Sequence, residues 1–154
     1  MNARVDAGEI IACQKINIEP TDTTVTLRDK LFLLGGELFV KYLPIYLSGQ
    51  AKLIEQNPDK VVKTQKLTKE MGLIDWGQSV DCIDRQIRAL NPWPGTYTFI
   101  GEKRLKILEA VLSDGKLELR TVQLEGKNPT NWKDFVRGYA NQLTKTDWFS
   151  TIQQ

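Results

Sequence analysis

The sequence predicts an α+β chain: a short β-rich stretch and one long apolar helix, then a small antiparallel β-barrel with flanking helices. Three observations carry this. Apolar residues recur at helical spacing over residues 26–42 and again over 80–90. Three β-branched and aromatic runs, separated by turn residues, follow between 96 and 124. Between the two helical stretches, residues 50–72 lose apolar periodicity and collect lysines. A chain of 154 residues holds one full-sized domain, or a small domain and part of another. The division read here is 1–49, a linker 50–72, and a second domain 73–154.

Residues 9–18 are rich in isoleucine, interrupted by Ala12, Gln14 and Asn17, and read as one or two short strands closed by Pro20-Thr21-Asp22. Thr26 then reads as a helix N-cap, with Asp29 three residues later reaching back to it. Leu27, Leu31, Leu34, Leu38 and Tyr42 form one apolar stripe. Each of Gly35 and Gly36 costs about 1 kcal/mol against Ala in a helix interior, which predicts a close-packing contact there. Pro44 should kink or end the helix, and Gly49 is the natural residue just past its end. In the linker, Asn57-Pro58-Asp59 marks a turn, and Lys52, Lys60, Lys63, Lys66 and Lys69 read as solvent-facing.

Ser79 caps the next helix, whose buried face is Val80, Ile83, Ile87 and Leu90. Asp81 and Asp84 come early and Arg85 and Arg88 late, as the helix dipole favours. Asn91-Pro92-Trp93-Pro94-Gly95 stops it. Strands are expected at 96–100, 104–112 and 116–124, with the Asp114-Gly115 pair as a hairpin signal. A last helix, about 131–143 and capped by Thr130, carries Trp132, Phe135, Val136 and Tyr139 on one face. Closing the short strands into a barrel would remove their exposed edges.

Composition narrows the chemistry. The chain has 21 Lys+Arg against 19 Asp+Glu and a pI near 8.5, which permits nucleic-acid binding without arguing for it. It contains no histidine, so the commonest general base and metal ligand are both missing, and no metal site is expected. Cys13 and Cys82 lie far apart, without zinc or disulfide spacing, and read as buried small hydrophobes in a reducing compartment. No apolar run is long enough to cross a bilayer and the start has no apolar signal region, so no membrane association is expected and the cytoplasm is the expected location.

Several stretches resemble the methionyl-tRNA formyltransferase family. Ile74-Asp75-Trp76, the run from Arg85 to Gly95 (Arg-Gln-Ile-Arg-Ala-Leu-Asn-Pro-Trp-Pro-Gly) and Leu105-Lys106-Ile107 are similar to the opening of its C-terminal domain. Val122 to Lys127 and Phe135 to Tyr139 are similar to its close. Upstream, Val5-Asp6-Ala7-Gly8-Glu9-Ile10 looks like the Leu-Asp-Thr-Gly-Asp-Ile segment late in the catalytic domain, and Thr26 to Leu31 like the start of that domain's last helix. Met1 stands where family members often carry a methionine, so the chain reads as a C-terminal piece, begun at an internal methionine or left by a truncated gene.

The resemblance implies residues 1–49 as the remnant of a Rossmann-like catalytic domain and residues 73–154 as an OB-like domain. It implies formyl transfer from 10-formyltetrahydrofolate to the amine of initiator methionyl-tRNA, by a full-length protein expected to be monomeric. Of the family's catalytic asparagine, histidine and aspartate, only the aspartate has a counterpart, Asp6; the His-x-Ser motif and the Ser-Leu-Leu-Pro folate loop have none. The chain alone should therefore be inactive. Arg88, Lys103, Arg104, Lys106, Lys127, Lys133 and Arg137 are the candidate tRNA-phosphate contacts, against the bland reading of solvated faces. Two departures stand out: Ala7 replaces the usual threonine, and the tight turn at 113–115 stands where many members carry further strands, which puts a complete barrel in question.

Trp93, between two prolines, reads first as a buried anchor and second as a stacking platform; Trp76 and Trp132 read as core, and Trp148 has no usable pattern. Two other functions stay open: a stand-alone RNA-binding module without catalysis, and a fragment of a sugar N-formyltransferase.

Overall fold

The computed structural model describes residues 5–152 and divides the chain into two compact units, Met1–Gln65 and Lys66–Gln154. What Met1 implies about the start of the chain lies outside the described residues.

The first unit is organised by helix α1, Thr24–Leu47. It starts earlier than the sequence suggests. Thr23, not Thr26, is the N-cap; its hydroxyl accepts from the Thr26 N–H, and the Thr26 hydroxyl accepts from the Thr23 N–H. The buried Asp22 fixes this start. Its carboxylate accepts from the Glu19 N–H (2.9 Å), the Thr26 hydroxyl (3.0 Å) and Lys30 Nζ (2.7 Å). Asp29 pairs with Arg28 instead of reaching back to the cap. The helix runs through Pro44 and closes at Ser48, whose N–H donates to the Pro44 carbonyl, with Gly49 just past the end.

Gly35 and Gly36 do not mark a close contact, since a Cβ added at either would meet nothing within 4 Å. Leu27, Leu34, Leu38 and Tyr42 form the less exposed line of α1, but Leu31 is exposed, as are Phe32, Leu33 and Val40 on other sides. The strands expected over 9–18 do not form. Among the described residues that stretch makes a single antiparallel bridge, Ile10 with Ile54, through two backbone hydrogen bonds. A lone ribbon with no third strand gains too little to propagate, and the chain turns away at Asn57, which starts a 3-10 turn, Pro58–Lys60. Cys13 is exposed, in a segment that forms no strand among the described residues.

The second unit is helix, antiparallel meander, helix. Helix α2, Val80–Leu90, is capped by Ser79 and buries Ile83 and Ile87. Strands β1 (Thr96–Ile100), β2 (Lys103–Ser113), β3 (Lys116–Leu124) and the two-residue β4 (Thr130–Asn131) follow in the sheet order β1-β2-β3-β4. Asp114 (φ 51°) and Gly115 (φ 73°) are both left-handed, as a two-residue hairpin turn requires. The sheet is open where closure was expected. The tight turn joins β2 directly to β3, and β4 pairs only with Thr121 and Val122, too little to carry the sheet round to β1. The cap of helix α3 (Trp132–Leu143) is Asn131 and not Thr130: the Asn131 side chain accepts from the Asp134 N–H, while Thr130 pairs opposite Val122.

One face of the sheet is the core. Leu105, Ile107, Val122 and Leu124 cluster with Ile83 and Ile87 of α2 and with Phe135 and Leu143 of α3. Full burial of each such side chain is worth about 1.5–3 kcal/mol. Trp148, which has no pattern in the sequence to place it, is buried and stacked on Trp76 (centroids 4.9 Å apart), with its Nε1 donating to the Phe99 carbonyl (3.0 Å). Trp93 is not a buried anchor; it is 56% exposed. Asn91 does the anchoring. Its Nδ2 donates to the carbonyls of Ile107 (3.0 Å) and Leu108 (3.2 Å), where β2 bulges and its ladder is interrupted. Gly72 sits so close to this turn that a Cβ there would lie 2.0 Å from the Gly95 carbonyl oxygen.

Two outcomes follow. Gly72→Ala should destabilise the second unit by about 2 kcal/mol or more, because backbone must move to admit the methyl group; an unchanged urea midpoint would contradict the packing described. The Lys30 ammonium, with the Glu19 N–H, holds the Asp22 carboxyl at about 2, below its usual 3.8. A lowered folded value means this contribution is complete above about pH 4 and is lost as pH falls toward 2. Carbon-detected NMR titration should give Asp22 a midpoint near 2, and a midpoint near its ordinary value would remove the network.

Candidate nucleic-acid interface

Strand β1 reads Thr-Tyr-Thr-Phe-Ile, and over its first four residues the alternation is the reverse of the usual one, before Ile100 returns to the buried side. Thr96 and Thr98 face the core and are buried, whereas Tyr97 is half-buried and Phe99 is 41% exposed. The buried hydroxyls are matched: Thr96 Oγ1 donates to the Ile107 carbonyl (2.9 Å), and Thr98 Oγ1 accepts from Trp76 Nε1 (3.0 Å). Register places Phe99 opposite Arg104, and Tyr97 opposite Lys106, which faces Gln123 on β3. Cross-strand partners share a face, so two rows of aromatic, cationic and amide side chains run across the outside of the sheet.

Geometry within the rows is specific. The Arg104 guanidinium carbon lies 4.3 Å from the Tyr97 ring centroid, a cation–π contact. Tyr97 and Phe99 meet edge to face at 5.7 Å. The Arg104 backbone N–H donates to Glu125 Oε2 (3.2 Å), and Gln123 Nε2 to the Lys127 carbonyl (2.9 Å), fixing the 125–127 turn against the strand ends. Arg104, Lys106, Gln123, Leu124, Glu125 and Gly126 line a shallow cleft of about 260 Å³. Lys103 pairs opposite Ile100 and so belongs to the other strand parity, exposed at the hairpin end; Lys127 is exposed in its turn. Four cations thus stand with three carboxylates, Glu102, Glu125 and Glu70, the last within electrostatic reach of Arg104, a balance that still favours a polyanion.

The remaining candidates lie elsewhere. Lys133 and Arg137 stand exposed on α3, beside a second cleft of about 630 Å³ that they share with Arg120 and Trp132. Arg120 pairs with Glu118 (2.7 Å) and Arg137 with Asp134 (3.3 Å), exposed pairs of the kind worth at most about 1 kcal/mol. A phosphate could displace either carboxylate. Arg88 differs: its Nε holds Asp84 at 2.8 Å, and both side chains are largely buried on α2. Asp6 is in the first unit, exposed and left-handed (φ 55°), its carbonyl and that of Gly8 both accepting from Gln56 Nε2. Among the described residues no three His, Cys, Asp or Glu side chains are grouped to hold a metal ion, and no helix is long and apolar enough to cross a membrane.

Tyr97, Phe99 and Arg120 are not singled out by the sequence reading. For the first two a signal was available, since Leu105 and Ile107 fix which face of β2 is buried, and the hairpin register then sends the aromatics to the same side as Arg104 and Lys106. Arg120 gave none, because its place beside α3 depends on tertiary packing.

Residues 66–116 match the family described as formyl transferase, C-terminal domain. A methionyl-tRNA formyltransferase of Listeria welshimeri is 43% identical over 118 residues, covering 77% of this chain and 38% of that protein. One from Listeria monocytogenes is 36% identical over 173 residues, and one from Streptococcus suis 31% identical over 171 residues, each covering 97% of this chain and 55% of the relative. The chain spans about half the length of these curated relatives. An alignment of 173 positions exceeds the 154 residues of the chain, so the Listeria monocytogenes protein carries segments with no counterpart here.

Arg88 should act on stability. Replacing it by Met leaves the Asp84 carboxylate largely buried without this partner and should cost about 1–3 kcal/mol. Chemical denaturation checks this, and a midpoint equal to that of the unsubstituted chain would make the ion pair dispensable.

Proposed function

From the premise that this chain is a relative of the methionyl-tRNA formyltransferases and carries a formyl transferase C-terminal domain, we propose that it serves formyl transfer to initiator methionyl-tRNA, its second unit gripping the tRNA. The basic end of the β1–β2 hairpin, with the 125–127 turn, carries this reading. Lys103, Arg104, Lys106 and Lys127 are concentrated there in a chain whose overall charge is nearly balanced. Phosphate contacts of this kind supply most of the affinity of a nucleic-acid binder. Lys133 and Arg137 extend the reading to α3, while Arg88 is assigned to holding α2 together.

In this reading residues 73–154 are a reduced OB-like domain and residues 1–49 are the closing part of a Rossmann-like catalytic domain, joined by the linker 50–72. The helix–meander–helix order supports the first assignment. So does the tight turn at Asp114-Gly115, with relatives longer than this chain.

The formyl donor implied by the family is 10-formyltetrahydrofolate, and the residues around Asp6 do not fit it. Asp6 and its neighbours from Val5 to Glu9 are exposed, and Gln56 engages only backbone carbonyls there. Formyl transfer needs a deprotonated amine and a donor aimed at the developing oxyanion. A single carboxylate can orient or relay a proton; it cannot stabilise negative charge. No step of the transfer is therefore assigned to residues 1–154 acting alone. A second reading, an RNA-binding module without catalysis, is favoured by the same basic end of the hairpin, which draws nothing from Asp6.

Titration of the chain against initiator tRNA at several salt concentrations tests the tRNA role. Replacing Lys103, Lys106 and Lys127 together by Gln should weaken binding and flatten the log–log salt slope by roughly 0.7–0.9 for each phosphate no longer neutralised; unchanged affinity and slope would remove these residues from the interface. In a formyl-transfer assay residues 1–154 alone should show no turnover, and measurable turnover would overturn the assignment of catalysis to other parts of a longer protein.

A further inference from the structure

We propose that the outer face of β1 and β2 is a stacking site for an unpaired ribonucleotide, with Phe99 as the open ring, the Arg104–Tyr97 cation–π pair beside it, and Lys106 placed for the phosphate. This rests on the RNA-binding reading above and adds to it a preference for single-stranded over paired RNA.

The reversed alternation of β1 is the starting point. On the same inner face, β2 and β3 place Leu105, Ile107, Val122 and Leu124, so that face accepts large apolar side chains. Strand β1 gives it Ile100, but also Thr96 and Thr98, and turns Tyr97 and Phe99 outward. Sheet stability alone would favour the opposite choice, because burying an aromatic ring gains more than burying a threonine whose hydroxyl must then find a partner. A single exposed Phe needs no explanation. Here it stands beside Tyr97, across from Arg104, and one row from Lys106 and Gln123.

Each group suits one part of a nucleotide. Every base has a flat π-face, and rings and guanidinium planes are the surfaces on which proteins stack it. The Arg104 guanidinium carbon lies over the Tyr97 ring, and the partly exposed Phe99 ring stands at 89° to that of Tyr97, so its own face is the one offered to a base. Gln123 offers an amide for a base edge, although its Nε2 is engaged by the Lys127 carbonyl, leaving Oε1 as the available acceptor. The platform is preset: the Tyr97 carbonyl accepts from the Ile74 N–H (2.9 Å) and the Phe99 carbonyl from Trp148 Nε1 (3.0 Å). Little ordering would be needed on binding. A paired helix, its bases already stacked on one another, can engage the cations but not the rings.

The test uses the full chain and two fluorescein-labelled RNAs, an oligouridylate of ~12 nucleotides, within the usual reach of such a sheet, and a fully paired hairpin of similar charge. The chain should bind both, and Phe99→Leu, which keeps the apolar bulk, should weaken oligouridylate binding about 5- to 100-fold. It should leave hairpin binding and both salt slopes unchanged, because every cation that meets a phosphate is still in place. Phe99→Trp should restore oligouridylate binding, with circular dichroism confirming the fold of both variants. Equal oligouridylate affinity for the Leu variant and the unsubstituted chain overturns the stacking site while leaving the RNA reading intact. Binding of neither RNA by the unsubstituted chain overturns both and leaves the face to a protein partner.

Discussion

The register of β2 against β3 governs the second unit. With Leu105 opposite Leu124 and Ile107 opposite Val122 on the buried side, Arg104, Lys106 and Gln123 have no choice but the other side. A slip of one residue would exchange the two sets, burying the cations and exposing the core, so register is strongly specified wherever one face is apolar. Two devices hold it. The Asp114-Gly115 turn sets the pairing from one end. Midway along β2, Asn91 satisfies the carbonyls of Ile107 and Leu108 where the strand bulges. The Asn-Pro-Trp-Pro-Gly turn is therefore a structural clamp as well as a helix stop, and Gly72 packs against it where no side chain would fit.

The candidate interface is thus a consequence of the core and not an addition to it. The polar groups that the sheet buries, Thr96, Thr98 and the indole of Trp76, are bonded to one another or to backbone. The C-terminal segment completes the arrangement: Trp148 stacks on Trp76 and holds the Phe99 carbonyl, tying the last described residues to the strand that carries the exposed ring. Chemistry and stability are divided between two faces of one sheet. Histidine, the commonest general base, is absent from the chain, whereas cations for binding a polyanion are concentrated on the sheet's outer face.

Much of this is legible in the sequence, and the parts that are not have identifiable causes. Helix α2, its Ser79 cap and the Asp-Gly hairpin rest on local chemistry and can be read directly. The cap of α1 cannot, because Thr23 prevails over Thr26 through Asp22, whose Lys30 partner is eight residues away. The strands expected at 9–18 fail for want of partners, a tertiary matter. Trp93 reads as an anchor because tryptophan between prolines looks like a fixed core residue. The turn is indeed fixed, but by the amide of Asn91, which leaves the indole exposed. Closure of the sheet is expected because exposed edges are a liability in any sheet, whereas β4, at two residues, is too short to carry the sheet round. Resemblance to a family locates the basic residues; only strand register can sort Arg104 and Lys106 from Lys103.

At the centre of these conclusions, one face of one small sheet meets RNA. Amide chemical-shift mapping of the isotope-labelled chain during titration with initiator tRNA tests this most directly. Perturbations should concentrate at residues 97–106 and 123–127 and leave α1 and the buried turn of α2 unmoved. Shifts confined to the first unit, or none at RNA concentrations that saturate a phosphate-binding face, would contradict it.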